Sequence, residues 1–258
     1  MKLSIVGTGN LAWHFATAAA EVGHHITHIA SRNETTAKAF IKETNIQADG
    51  CELDHHFMDD LVILCIPDNF IEDQAQQLQL SSKTLLIHTS GSIPIDVLVT
   101  QSNHRVGVIY PLQTFTKYHP PGLRERPLFL EALKQTDLGT IRSFASSLSS
   151  KIFDLSSAKR LKLHLAAVFV SNFTNFMYWN ASDILRDANL EMNWTRDLAQ
   201  ETLNKAFDIG PEKGQTGPAA RNDTQTMRKH IEATKEEDIK EVYRKISDQI
   251  IKAKMKKG

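Results

Sequence analysis

The stretch Gly7-Thr8-Gly9-Asn10-Leu11-Ala12 has the residue types and spacing to hold a pyrophosphate. Gly7 lets the chain turn sharply, Gly9 leaves room for phosphate oxygens at the backbone, and Ala12 lets a helix lie close to a strand. The helix N-terminus adds free N–H groups and the positive end of a dipole. Further on, Ser31-Arg32-Asn33 stands where a chain selecting NAD carries an acidic residue for the ribose hydroxyls. An arginine beside two small hydrogen-bonding side chains instead suits the 2′-phosphate of NADP, because a guanidinium meets phosphate through two parallel N–H bonds. The same residues are compatible with a surface arginine and an asparagine that caps a helix starting at Glu34.

Proton chemistry has three candidate locations. His164, Ser171, Asn172 and Asn175 stand at i, i+7, i+8 and i+11, which places them on one face of an α-helix that is otherwise apolar. Burying them is costly unless they find partners. In a cleft, His164 could exchange a proton beside a nicotinamide while Asn172 orients a substrate. In a purely structural role, His164 would cap carbonyls and the asparagines would bond between helices. Thr216-Gly-Pro-Ala-Ala-Arg221-Asn-Asp223, followed by His230, offers Arg221 at a helix entry as a partner for a carboxylate or phosphate, or as an ordinary surface arginine. His88-Thr89-Ser90-Gly91 ends a predicted strand, where side chains could reach the carboxamide or the substrate. The pairs His24-His25 and His55-His56 lack a third ligand at recognisable spacing, so no metal site is expected.

The elements that must position these residues follow from hydrophobic pattern. Leu3, Ile5 and Val6 predict a buried strand before the glycine turn, and Ala12 to Val22 a helix ended by Gly23. His25 to Ser31 predicts a second strand, residues 46–49 a short third, and Leu61 to Ile66 a fourth, apolar enough to be covered on both faces. That strand should lie beside the first, so that Ile66, Pro67 and Asp68 line the nicotinamide side of a cleft. Further strands are expected at 84–88, 105–109, 127–130 and 151–155, with a helix from 138 to 148 and an exposed excursion at Pro120-Pro121-Gly122. After Ser156 the alternation stops, and about four helices follow. The first, Leu161 to Asp187, is apolar nearly all round and should be buried on most sides. In a domain of about 100 residues that burial needs a partner surface, which implies a homodimer. The reading is an α/β Rossmann domain, a mostly parallel doubly wound sheet over 1–155, followed by an all-α substrate and dimerisation domain over 156–258.

Composition narrows the function classes. The 258 residues carry 30 basic and 30 acidic side chains, so no net charge drives association with nucleic acid or membranes. The basic stretch Lys252 to Lys257 reads as a frayed helix end. Two cysteines, one in an apolar strand pattern, fit a reducing compartment without disulfides. The N-terminus begins directly as a strand, which predicts a cytoplasmic protein, and no apolar run approaches the roughly 18 residues of a membrane span.

Together, His88-Thr-Ser-Gly91, Pro111-Leu-Gln-Thr-Phe115, His164 to Asn172, and Thr216 to Asp223 with His230 resemble a bacterial family of NADP oxidoreductases. That family pairs a Rossmann-like domain with a C-terminal helical domain of unknown function, DUF2520. It is similar to pyrroline-5-carboxylate reductase, prephenate dehydrogenase and the β-hydroxyacid dehydrogenases. The resemblance implies a helical domain of the 6-phosphogluconate dehydrogenase C-terminal-like type that completes the active site and forms the dimer. It also implies His164 as the acid–base residue, since prephenate dehydrogenases carry a histidine at the matching point of the long helix. Two residues depart from the pattern: Tyr110 stands where histidine is common, and Asn222 where glycine is common.

The resulting expectation is an NADP(H)-dependent oxidoreductase acting on a small carbonyl, imine, hydroxy acid or amino acid. The pyrophosphate falls to Gly7, Thr8, Gly9, Asn10 and Leu11, and the 2′-phosphate to Ser31 and Arg32. Ile66, Pro67, Asp68, His88 and Thr89 take the nicotinamide side. Ser90, His164 and Asn172 carry the chemistry, and Asn175 and Arg221 hold the substrate. The alternatives are a non-catalytic NADPH sensor and a reductase using another cofactor, such as a deazaflavin.

Overall fold

A computed structural model describes residues 1–100, 105–117 and 122–256. By internal contacts the chain divides into two compact units, 1–171 and 172–258.

In the first unit, β1 (Lys2–Val6), α1 (Asn10–Glu21), β2 (His25–Ala30), α2 (Glu34–Thr44) and β3 (Asp49–Cys51) are followed by β4 (His56–Phe57) and β5 (Leu61–Leu64). Then come α3 (Ile71–Gln77), β6 (Gln79–Leu80), β7 (Leu85–His88), β8 (Val106–Pro111), β9 (Leu128–Ala132), α4 (Gln135–Leu148), β10 (Ile152–Asp154) and α5 (Ser157–Ala167). Eight strands form one sheet in the order β10-β9-β8-β7-β5-β1-β2-β3. Every pairing is parallel except β8 with β9. This is the mostly parallel Rossmann sheet expected from the sequence.

Period-two alternation builds a core on each face. Leu3, Ile5, Leu61 and Ile63 pack with Phe15, Phe40 and Phe144. Val6, Val62, Leu64 and Val108 pack on the other side with Ile71 and Leu98. β1 lies between β2 and β5, so the strand order reverses at its C-terminal end, where α/β proteins bind ligands.

The expected third strand at 46–49 instead begins at Asp49, where it finds Ala30 and its neighbours as partners. The two-residue strands β4 and β6 form a separate small sheet that was too short to signal itself. The excursion at Pro120 and Pro121 lies outside the described residues.

The second unit contains α6 (Thr174–Asp187), α7 (Arg196–Asp208), the single turn α8 (Pro211–Gly214), α9 (Thr224–Ala233) and α10 (Glu237–Met255). Asp223 caps α9 by accepting the Thr226 N–H at 3.0 Å. Asn222 sits in the left-handed region at φ 55, a conformation asparagine tolerates better than other side chains and glycine adopts freely.

One expectation for the long helix is corrected. Residues 168–173 are π-helical, and that wider turn breaks the 3.6-residue period used to align His164 with Ser171, Asn172 and Asn175. Within the single chain Phe169, Val170, Phe173, Phe176 and Trp179 are all exposed, Trp179 at 63%, so any burial of this helix on most sides would need a partner surface. Among the described residues of 172–258, only Ala219 and Ser247 are buried. No helix among the described residues is long and apolar enough to cross a membrane.

Candidate functional site

The glycine turn is held in a conformation that only glycine fits. Gly7 has φ 117, and a Cβ there would stand 2.3 Å from the Cys65 carbonyl oxygen. The constraint arises because β1 and β5 are adjacent: Gly7 N–H donates to the Ala30 carbonyl at 2.9 Å and Cys65 N–H to the Val6 carbonyl at 2.8 Å. Gly9 is the N-cap residue of α1, with no side chain capping the helix, and a Cβ on Gly9 would meet nothing within 4 Å. Among the described residues no side chain caps the first-turn N–H groups of α1.

This turn borders a cavity of about 490 Å³ at the C-terminal ends of β1, β2 and β5. Its lining includes Gly7, Thr8, Gly9, Ser31, Arg32, Ile66 and Pro67, seven of the residues expected to hold the cofactor. Arg32 is exposed and makes no ion pair among the described residues. Asn33 has the capping role: its Oδ1 accepts the Thr36 N–H at 2.8 Å and the Thr36 hydroxyl at 2.7 Å. The sequence reading missed Phe70, Gln74 and Gln77, which also line the cavity. Their i, i+4, i+7 spacing was the available signal, since it puts one face of α3 toward the switch point.

Five expected cofactor residues do not line this cavity. The Asn10 side chain donates to the Phe115 carbonyl at 3.3 Å, which leaves the backbone as its contribution to an anion site, as for Leu11. Asp68 begins a short 3₁₀ turn. Thr89 is buried and donates to the Leu64 carbonyl at 3.0 Å. His88 is fully buried, and its Nδ1 accepts the Ser90 N–H at 3.2 Å, so its proton is on Nε2. Burial, aided by the Arg160 charge, drives His88 down to about 3.

A second cluster forms where β7 and β8 end. Ser90 Oγ accepts the N–H groups of Ser92 and Ile93 at 3.0 and 3.1 Å, which fixes the loop after β7 and leaves only its hydroxyl proton free. His164 of α5 packs directly on Gly91: a Cβ there would stand 2.6 Å from the ring. On the other side, the Tyr110 hydroxyl lies 2.9 Å from His164 Nδ1. Burial pushes Tyr110 up to about 12, with Arg160 opposing and Asp68 adding to the shift. One turn before His164, Arg160 is only 1% exposed and pairs with Glu131 of β9. Glu131 also accepts the Ser157 N–H and hydroxyl, both at 2.7 Å. Arg160 donates in turn to the Ile93 carbonyl and, at 3.2 Å, to Ser157 Oγ. This clamp ties the start of α5 to both β9 and the loop that carries Gly91.

The first unit thus brings Ser90, Gly91 and His164 together with Tyr110, to which the sequence reading assigned no role. Asn172, Asn175 and Arg221 belong to the second unit. Arg221 is exposed at the end of a 3₁₀ turn. No group of three His, Cys, Asp or Glu that could hold a metal occurs among the described residues.

Comparison with known proteins extends this picture. Residues 2–91 match the family described as NADP oxidoreductase coenzyme F420-dependent, and residues 126–250 the domain of unknown function DUF2520. No curated protein matches the sequence. A solved structure from Bacteroides fragilis, described as a "putative NADP oxidoreductase", is 31% identical over 97% of this chain and 98% of its own, with a TM-score of 0.86. Streptomyces aurantiacus imine reductase shares the fold at 14% identity, covering 97% of this chain and 93% of its own, TM-score 0.63. Streptococcus pyogenes 1-pyrroline-5-carboxylate reductase does so at 14% identity over 98% of both chains, TM-score 0.60. By its full-length likeness to the Bacteroides fragilis protein, the chain belongs to the family that joins an N-terminal region of the NADP oxidoreductase, coenzyme F420-dependent type to a C-terminal DUF2520 region.

Proposed function

We propose that the protein is an NADP-dependent oxidoreductase acting on a small carbonyl or imine, or on the corresponding hydroxy acid or amino acid. The observation that carries this reading is the cavity at Gly7–Gly9, lined by a glycine-only turn at a helix N-terminus without a side-chain cap and by an arginine without an ion pair among the described residues. Those features fit a dinucleotide: the backbone of Gly7 to Leu11 would hold the pyrophosphate, and Ser31 with Arg32 the 2′-phosphate. Its adenine would lie against Phe70. When bound, NADPH supplies the hydride.

The remaining roles fall to the chain. Ile66, Pro67 and Asp68 would border the nicotinamide, with His88 and Thr89 behind them as buried support. His164 would exchange the substrate proton, and Ser90 and Asn172 would act on the substrate. Asn175 and Arg221 would hold the substrate, Arg221 at an anionic end. Residues 156–258 would serve as the helical substrate and dimerisation domain. The nearly coreless second unit supports dimerisation: with Trp179, Trp194, Leu198 and Phe207 between 63 and 76% exposed, a second copy is the natural source of missing burial.

The test is a nicotinamide-fluorescence titration with NADPH and NADH. NADPH should bind at least tenfold tighter, about 1.4 kcal/mol, and Arg32→Ala should remove that margin. Equal binding of NADPH by Arg32→Ala overturns the 2′-phosphate assignment. Binding of deazaflavin F420 in preference to both nucleotides overturns the choice of cofactor.

A further inference from the structure

We propose that Tyr110 is the positioning residue of the site: its hydroxyl, opposite Gly91, holds His164 by Nδ1 and so reserves Nε2 for the substrate proton. The inference rests on the reading of His164 as the proton-exchanging group.

Three independent contacts define the pose of the imidazole. Tyr110 Oη is 2.9 Å from Nδ1, within ordinary hydrogen-bond distance, and the two rings meet edge to face at 80°. Gly91 allows the ring to lie where any side chain would collide with it, the nearest approach to a Cβ being 2.6 Å. Arg160, bound to Glu131 and to the Ile93 carbonyl, fixes the helical turn just before. Nδ1 is thereby occupied, while Nε2 has no partner among the described residues.

A phenol suits this role for a chemical reason. The charged groups acting on Tyr110 are Arg160 and Asp68, and burial outweighs both, so its hydroxyl keeps its proton across the working pH range. A neutral hydroxyl both donates and accepts. Here it accepts from Nδ1–H in both states of the ring, so that Nε2 carries the lone pair when the imidazole is neutral and the transferable proton when it is charged. A carboxylate in the same place would favour only the imidazolium. The ring can therefore load and unload a proton at Nε2 without leaving its pose. In the reducing direction the Nε2 proton passes to the substrate oxygen or nitrogen, balancing the hydride added to the adjacent carbon, and the neutral imidazole is reprotonated from water. Oxidation runs the same transfers backward.

The test uses the full ¹⁵N-labelled chain without cofactor or substrate. Long-range ¹H–¹⁵N spectra are recorded at about pH 9, where an ordinary imidazole is neutral, for the parent, Tyr110→Phe and Gly91→Ala. In the parent, His164 should show one tautomer, protonated on Nδ1 with Nε2 shifted as an unprotonated nitrogen. Tyr110→Phe should give the averaged shifts of a ring exchanging between tautomers, and Gly91→Ala should do the same by pushing the ring off its seat. Unchanged His164 nitrogen shifts in Tyr110→Phe overturn the proposal, as do exchange-averaged shifts in the parent. If one variant fails to fold, the other still decides. Because this readout needs no nucleotide, its failure would leave the NADP reading standing. Failure of NADPH to bind would leave the tyrosine–histidine contact standing.

Discussion

Glu131→Gln is a direct test of the clamp that seats α5. The substitution preserves shape but removes the countercharge of Arg160, a guanidinium only 1% exposed. It also turns one of the oxygens that accept from Ser157 and Arg160 into a donor facing donors. Removing one partner of a buried pair costs about 3–5 kcal/mol, against at most about 1 kcal/mol for an exposed pair. The carboxylate additionally sits at the N-terminus of α5, where a negative charge is favoured by about 0.3–1 kcal/mol. Arg160 keeps its bonds to Ile93 and Ser157, which argues for the lower end, about 3 kcal/mol. That is a more than hundredfold rise in the opening constant of this segment. Hydrogen exchange read by mass spectrometry on peptides covering 157–167 measures it in the intact chain. A loss below about 1 kcal/mol would mean that the pair behaves as a solvated one and that α5 is seated by apolar packing alone.

Other expectations follow from the same geometry. His88 is held at about 3 in the folded chain against 6.5 for the free side chain, so between those values the unfolded chain binds the extra proton. Its contribution is complete above pH 6.5 and is lost as pH falls toward 3, by up to about 1.4 kcal/mol per pH unit. In urea melts, His88→Asn, which keeps an acceptor for the Ser90 N–H, should lack that slope; a parallel pH dependence would refute it. Gly7→Ala must drive a Cβ into the Cys65 carbonyl at a positive φ, and should cost at least about 2 kcal/mol of stability. It should also abolish NADPH binding, and retention of parental affinity would show that the turn is not the phosphate seat. Trp179→Glu places a charge on the exposed apolar helix. By sedimentation it should shift a dimeric parent toward monomer, whereas a monomeric parent would sink the dimer reading.

Local signals made much of this protein legible. The apolar run at Leu61–Leu64 has no polar face to offer water, so it had to be a central strand. Gly7 could be read as a turn because no other residue adopts that conformation without strain. Asn33 as a helix cap depends only on the residue three positions away. The convergence of Ser31, Arg32, Ile66 and Pro67 on one cavity was legible for a related reason: in a parallel sheet, residues just past adjacent strand ends converge whatever the details.

What the sequence could not supply were features decided by partners distant in the chain. Tyr110 and His164 are 54 residues apart and Arg160 and Glu131 are 29 apart, and neither pairing leaves a local periodicity. The π-helical segment at 168–173 shifts the register of a helix whose composition predicts uniform α-geometry. Strand β9 runs antiparallel to β8 although its own residues fit either direction.

The sequence by itself therefore determined the strand–turn–helix unit and the glycine requirement of its turn, because backbone sterics and hydrophobic period act over a few residues. Only the tertiary structure decided which nitrogen of His164 is occupied and what holds the helix that carries it. Those are contacts between elements, set by the sheet order and by how α5 packs on the loops after β7 and β8.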